Sequence, residues 1–367
     1  MTASLDQRFM ATAVRLARTN EGRTGTNPSV ACLLVKDEGD GPVIIGRGVT
    51  AIGGRPHAEP IAIEEAGERA CGATAYVTLE PCAHHGRTPP CAQTLIDAGV
   101  ARVVTAVIDP DPRVDEKGHA MLLAAGIEVE KGLLDTDAQR GLGAYLTHKR
   151  LGRPQVTLKL AVSADGCLGS KGAGQVAITG AISRSQTHLT RARHHAILVG
   201  VNTIVEDDPE LTCRLPGLEA RSPVRVVLDT TGRVPISSKI VQTAREHRTI
   251  LVGPTGLETH QEAARLGCEL LPCELFEGRA ALPELLDDLG ARGIMSLMVE
   301  GGSEVAQSFL RDRLVDELAL FSSGVEIGRE GDPVKSPVTP QDLPEGFGLT
   351  GEWQFGEDRL QTFARDA

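Results

Sequence analysis

The chain has no run approaching the ~18 consecutive apolar residues of a membrane span, so nothing in its 367 residues is expected to cross a bilayer. It also lacks surplus positive charge. Against 38 Lys and Arg stand 49 Asp and Glu, a net charge of −11, and a negative field repels phosphate backbones, so no nucleic-acid partner is expected. No export leader is expected either: MTASLDQRFMATAVRLARTN places Leu5, Phe9, Ala13, Leu16 and Ala17 on one helical face with charges among them, which is the pattern of a first helix and not of a signal peptide. Without export, the eight cysteines read as reduced thiols or metal ligands of a cytoplasmic protein, not as a disulfide framework. There is no internal repeat, and no G-x-G-x-x-G to support a Rossmann dinucleotide site.

What is present alternates. After the first helix, VACLLV (30–35) and VIIGRGV (43–49) flank the turn-rich KDEGDGP as a hairpin. A helix from about His57 to Arg69, a strand at 73–79, a helix opened by Pro89 and Pro90, a strand at 101–107, a helix around 116–125 and a short strand at 127–130 complete a sheet with helices on both faces. The polar run THKRLGRP (147–154) reads as a junction, giving domains of 1–150 and 151–367. Beyond it, strands are expected at 155–162, 196–200, 224–229, 249–253, 294–300 and 317–322, with helices between them and a long loop over 324–348.

The densest chemistry is EPCAHHGRTPPCA (80–92). Cys82 and Cys91 flank a proline-stiffened loop, each where a helix is expected to begin, and a helix N-terminus favours the thiolate that a metal requires. Upstream, PHAE supplies His57 as a third donor and leaves Glu59, two residues on, free as a base. Three protein ligands and one open position make a catalytic zinc site, in which water near the metal ionises close to neutral pH. His84 and His85 could instead close a structural site with both cysteines, but adjacent side chains seldom converge on one ion and PHAE would then have no purpose. The pattern is that of zinc nucleobase deaminases, H-x-E followed by P-C-x-x-C, with the second cysteine nine positions after the first instead of three. In the second domain MVEGGSEVAQSFL (298–310) is a strand, a Gly-Gly turn and a helix, which offers free backbone N–H groups to a phosphate or is simply a tight connection.

ATAYVTLEPCAHHGRTPPC, with TNPSVA and PHAE before it and ARVVTAVIDPDP after it, closely resembles the bifunctional deaminase/reductase family of riboflavin biosynthesis. KLAVSADG, RARHHAILVGVNTIVEDDPELTCR, PVRVVLDT and VEGGS extend the resemblance over nearly the whole chain. It implies a cytidine-deaminase-like α/β/α domain followed by a dihydrofolate-reductase-like α/β domain. It further implies zinc-dependent deamination of 2,5-diamino-6-(5-phosphoribosylamino)pyrimidin-4(3H)-one, then NADPH reduction of the ribosylamino side chain to ribitylamino. The implied roles are His57, Cys82 and Cys91 as zinc ligands, Glu59 as proton shuttle, and Asn27, Gln175, Arg191, Leu211, Arg214 and Glu300 at substrate. Ala161, Ala177, Thr203, Asp207, Thr230 and the turn Gly302, Ser303, Glu304, Val305 and Ala306 would border NADPH. Arg191 and Arg214 can fork onto a 5-phosphate. A homo-oligomer acting on a small pyrimidine ribose phosphate is expected.

The sequence departs from that family in five places. Thr26 stands for a usual proline, Ala31 for a glycine, Thr50 for a histidine and Ala177 for a tryptophan, and FSSGVEIGREG replaces an APxxxGG segment. Ala177 removes a planar surface beside the expected cofactor. Two alternatives follow: a deaminase whose C-terminal domain has lost reduction, or a zinc-stapled binding protein without catalysis.

Overall fold

Helix α1 (Leu5–Ala17) begins at Ser4, whose hydroxyl accepts the Gln7 N–H while the Gln7 side chain accepts that of Ser4. It buries Met10, Ala13, Val14 and Ala17, a face rotated from the expected one, and Leu5 is exposed. The protein is described here by a computed structural model covering residues 4–86, 89–172, 174, 176–328 and 332–365. It divides into two compact units, Met1–Gly152 and Arg153–Ala367.

In the first unit β1 (Ala31–Asp37) pairs antiparallel with β2 (Pro42–Val49), and α2 (Ala58–Ala66) leads to β3 (Thr74–Leu79). There follow α3 (Cys91–Asp97), β4 (Arg102–Val107), α4 (Lys117–Ala124), β5 (Glu128–Glu130) and α5 (Asp135–Leu151). The sheet order is β2-β1-β3-β4-β5, with β3, β4 and β5 parallel. β1 is buried through Val35, as a strand covered on both faces must be.

Two glycines decide how close α2 comes to this sheet. A Cβ on Gly48 would lie 1.9 Å from the Ala58 carbonyl oxygen, and one on Gly46 would lie 2.2 Å from that of Ala62. Only bare backbone lets the helix settle there, and its settling fixes His57 at the N-cap and Glu59 in the first turn. At the other end of the sheet a Cβ on Gly118 would be 2.0 Å from the Pro81 carbonyl oxygen, so α4 presses on the chain just before Cys82. Helix α5 is a departure from the sequence reading, which left 131–146 without an element. THKR is its last turn; the helix stops at Gly152, whose φ of +76° suits glycine, and the boundary between the units follows directly, inside the expected junction of 147–154.

The second unit runs β6 (Gln155–Val162), β7 (Cys167–Ser170), α6 (Ala181–Arg191), β8 (Ala196–Gly200), α7 (Val201–Asp207), β9 (Val224–Leu228), α8 (Lys239–Gln242), β10 (Thr249–Gly253), α9 (Glu258–Leu266) and β11 (Glu269–Pro272). It continues through the hairpin β12 (Leu275–Phe276) and β13 (Arg279–Ala280), α10 (Leu282–Ala291), β14 (Ser296–Val299), α11 (Ser303–Arg311), β15 (Glu317–Ser322), β16 (Pro333–Lys335), β17 (Phe347–Phe355) and β18 (Asp358–Arg365). Its main sheet has the order β11-β10-β9-β8-β14-β6-β15-β18-β17, parallel up to β15, with an antiparallel hairpin on the edge. The expected loop over 324–348 contains β16, paired with β7, and the start of β17. The core lies beneath Leu158, Leu198, Leu286, Val299 and Phe309, all fully buried.

Candidate active sites

Three donors converge in the first unit. His57 Nδ1 lies 3.3 Å from Cys91 Sγ and 3.8 Å from Cys82 Sγ, and all three ligand atoms fall within 4.8 Å of one another. Zinc bonds of about 2.0–2.1 Å to nitrogen and 2.3 Å to sulfur, at the tetrahedral angle, require an N···S spacing of about 3.6 Å. The two observed separations bracket that value, and the donor set is the right chemistry for zinc. Cys91 opens α3 as expected, but Cys82 does not begin a helix: it sits on the irregular segment before α3, where its sulfur accepts the Cys91 N–H at 3.3 Å.

Those neighbours prepare Cys82 as the thiolate. Hydrogen bonding from the Cys91 thiol, then from His57, brings its pKa down to about 4 against the opposing effect of burial. The shared proton pushes Cys91 up, and contact with Cys82 raises His57. Glu59 is 4% exposed; burial, reinforced by the Cys82 charge, raises its carboxyl to about 7. A carboxyl balanced near neutrality can accept and return a proton, which a carboxylate in bulk water does poorly.

A cavity of about 410 Å³ opens on this group. Asn27 lines it, with Nδ2 donating to the Gly54 carbonyl at 3.0 Å, while its backbone forms the turn that Asn-Pro suggested, accepting the Thr24 hydroxyl at 2.7 Å. Thr50 also lines it, buried and bonded to Val30 N at 3.0 Å. His84 faces the cavity with a buried Nδ1 that has no partner among the described residues; His85 is exposed, and neither joins the donor group. Sequence reasoning missed the remaining wall, Arg55, Asp109, Asp111, Arg113, Tyr145, His148 and Lys149. The signal that could have found it is the spacing of Ala138, Leu142, Tyr145 and Leu146, an amphipathic helix within a polar run.

In the second unit the expected residues gather at the carboxyl ends of parallel strands, where open α/β sheets bind ligands. Ala161 ends β6; Thr203 and Asp207 lie on α7 after β8; Thr230 follows β9; Gly302 caps α11 after β14. Burial pushes the Asp207 carboxyl up. Ser303, Glu304, Val305 and Ala306 form the first turn of α11, Ala306 buried in the core and Glu304 bonded to Asn202 at 3.3 Å. A Cβ on Gly302 would meet nothing within 4 Å, so the approach to the first-turn amides is open, which fits a dinucleotide diphosphate. Ala177 is exposed, and Gln175 lies outside the described residues.

Glu300 is the centre of a partly buried charge cluster. Lys159 Nζ reaches its Oε1 at 3.2 Å, and Arg191 binds its Oε2 through Nη2 at 2.8 Å and Nε at 3.1 Å. Burial pulls the carboxyl pKa up, but Lys159 and then Arg191 outweigh it and hold it at about 2. The Arg191 fork, expected to point at phosphate, is therefore engaged on Glu300, and its Nη1 also donates to the Thr212 carbonyl at 3.2 Å. Arg214 remains half exposed with a long contact of 3.3 Å to Glu210, and Leu211 is buried with φ +58°. Lys159 is a further residue the sequence reading did not single out.

Residues 3–107 match the cytidine and deoxycytidylate deaminase zinc-binding region, and residues 154–358 match the RibD C-terminal domain. The riboflavin biosynthesis protein RibD of Aquifex aeolicus is 39% identical over 337 residues, covering 90% of this chain and 92% of that protein. The chain belongs to the RibD family. The Escherichia coli RibD is likewise 39% identical, over 89% of both chains. Among solved structures, Acinetobacter baumannii RibD superposes with a TM-score of 0.85 at 34% identity over 99% of both chains. The Thermotoga maritima deaminase/reductase does so at 0.82 and 32% over 98% of both. RibD proteins join a zinc-dependent deaminase to an NADPH-dependent reductase in riboflavin biosynthesis, and this chain has both halves on the expected two folds. No helix among the described residues is long and apolar enough to cross a membrane.

Proposed function

We propose that the first unit hydrolyses the bond between the pyrimidine ring and the exocyclic 2-amino group of 2,5-diamino-6-(5-phosphoribosylamino)pyrimidin-4(3H)-one, so that this ring carbon becomes the second uracil carbonyl, and that the second unit reduces the product with NADPH. The observation that carries this is the convergence of His57, Cys82 and Cys91, of which His57 and Cys82 line one cavity together with the buried Glu59. Zinc held by those three supplies the Lewis acidity that makes water a nucleophile near pH 7. Glu59 takes a proton as the water oxygen bonds to the ring carbon, and returns it to the departing nitrogen as the C–N bond breaks, so water is consumed and ammonia released. Asn27 orients the ring.

In the second unit the first-turn amides of α11, with Ala161, Ala177, Thr203, Asp207 and Thr230, would border NADPH, and Gln175, Arg191, Leu211, Arg214 and Glu300 the substrate. NADPH bound there would supply the hydride that C1′ of the ribosylamine gains as its bond to the ring oxygen is broken. Lys159, whose ammonium contacts Glu300, would give that oxygen its proton while Glu300, kept ionised, would accept from the ribose hydroxyls. Arg214, with its guanidinium toward solvent, suits the phosphate. The protein works in the cytoplasm as a homo-oligomer; its eight cysteines are all unpaired, and light scattering measures its mass.

Purified protein is expected to hold about one zinc per chain, consistent with a single three-donor site. It should release ammonia from the diaminopyrimidine phosphate and then oxidise NADPH. Glu59→Gln should lower ammonia release by at least ~10²-fold, the lower range of general acid–base contributions, with zinc content unchanged. A variant that keeps its rate would remove the catalytic role.

A further inference from the structure

The cavity that holds Glu59 has a second wall for which proton transfer gives no use. Helix α5 ends there, so Tyr145, His148 and Lys149 line the cavity with Asp109, Asp111 and Arg113 from the segment after β4. Asp111 is buried between two cations: Arg113 Nη2 at 2.6 Å and Nε at 3.0 Å, and Lys149 Nζ at 3.0 Å. Led by the Arg113 bond, they keep its carboxyl ionised far below the usual range. Asp109 is also buried, its carboxyl raised by burial and held by the Tyr145 hydroxyl at 2.9 and 3.0 Å.

Donors remain. An ammonium has three N–H groups and a guanidinium five, so Asp111 engages only part of each. Outside the metal donors and Glu59, the charged residues lining the cavity are Arg55, Arg113 and Lys149 against Asp109 and Asp111, three minus two, a balance of +1. Beside them the His148 Nδ1 is buried without a partner among the described residues, and burial, then the Lys149 charge, holds that ring below its ordinary pKa and neutral at pH 7. A buried polar atom left unpaired is costly, and a ligand that pairs it recovers the cost.

We propose that Arg113, His148 and Lys149 form the subsite for the 5-phosphate of the deaminase substrate, with Asp111 as the brace that holds both cations in place. This rests on the deaminase assignment above. A chain of net charge −11 repels a dianion, so a phosphorylated substrate needs a local positive region to enter, and this wall supplies one inside the reacting cavity. Asp111 keeps the guanidinium and ammonium preorganised without cancelling them. The volume of about 410 Å³ is within the ~300–1,000 Å³ range of small-molecule sites.

The test uses zinc-loaded full-length protein and two compounds, the diaminopyrimidine ribosylamine with and without its 5-phosphate. For Lys149→Met and Arg113→Met, KM for the phosphorylated compound should rise at least tenfold, with kcat within twofold and the unphosphorylated compound affected less than twofold. Lys149→Arg should retain most of the preference. Unchanged zinc content and unchanged NADPH oxidation on the deaminated substrate show that both units are folded. Equal losses on both compounds, or a wild type indifferent to the phosphate, would overturn the subsite. If the wild type released ammonia from neither compound, the deaminase assignment itself would fall. Ribose 5-phosphate binding by calorimetry then decides: weaker binding in Lys149→Met upholds an anion subsite, and equal binding overturns it.

Discussion

Cys82, Glu59 and His194 are each set by their surroundings, in different directions. Cys82 gains hydrogen bonds that favour its charge, and Glu59 loses solvent that would favour its own. His194 loses solvent too. Its ring bridges the Thr190 carbonyl at 2.8 Å and the Thr157 hydroxyl at 3.1 Å, and burial brings its pKa down to about 4 from 6.5. Between those two values the unfolded chain binds a proton that the folded chain does not, so stability is lost as pH falls from about 6.5 toward 4. The loss should be about 2 kcal/mol for a partly buried group. Urea titrations between pH 7 and 4.5 should show a steeper decline for wild type than for His194→Gln; parallel declines would locate the titration elsewhere. The metal donors were legible in the sequence because two cysteines and a His-x-Glu are chemically uncommon. Asp111 and Lys149 were not, because charged residues in turns and at helix ends usually serve only as solvated surface.

At the scale of elements, the deaminase site depends on the fit of α2 on β2, which has no room for a methyl group at Gly48. Gly48→Ala must push α2 outward at Ala58, between His57 and Glu59, and so move a ligand and the proton shuttle together. Zinc content and ammonia release should both fall at least tenfold while NADPH oxidation persists; a variant with full zinc and full rate would show that the helix tolerates the shift. A milder case is Glu116, the N-cap of α4, held at φ +63° where a side chain is strained. Glu116→Gly should relieve that strain but lose the ion pair with Lys131, and half-exposed pairs contribute little. A gain of about 0.5–1 kcal/mol in the unfolding of the first unit is expected; destabilisation would mean the ion pair dominates. The alternating order of strands and helices was readable from apolar runs. Helix α5 and the hairpin β17–β18 were not: α5 buries only a narrow stripe of Ala138, Leu142, Tyr145 and Leu146, and β17 has no residue that is fully buried. Neither carries the apolar density by which the other elements announce themselves.

For the molecule as a whole, the chemistry is divided as the chain is. Every metal donor and Glu59 belongs to Met1–Gly152, and the Glu300 cluster with the α11 turn belongs to Arg153–Ala367. Each unit has its own sheet with its own buried residues, so the metal is not needed to assemble either core. This differs from small zinc domains, in which metal binding supplies the folding free energy. Chelation of zinc should therefore abolish ammonia release yet leave NADPH oxidation on the pre-deaminated pyrimidine within about twofold, and added zinc should restore the first activity without refolding. Far-ultraviolet circular dichroism before and after chelation should be nearly superimposable. If chelation instead removed both activities together, the second unit would depend on the metal through the first, and the two reactions could not be treated as separate functions of one chain.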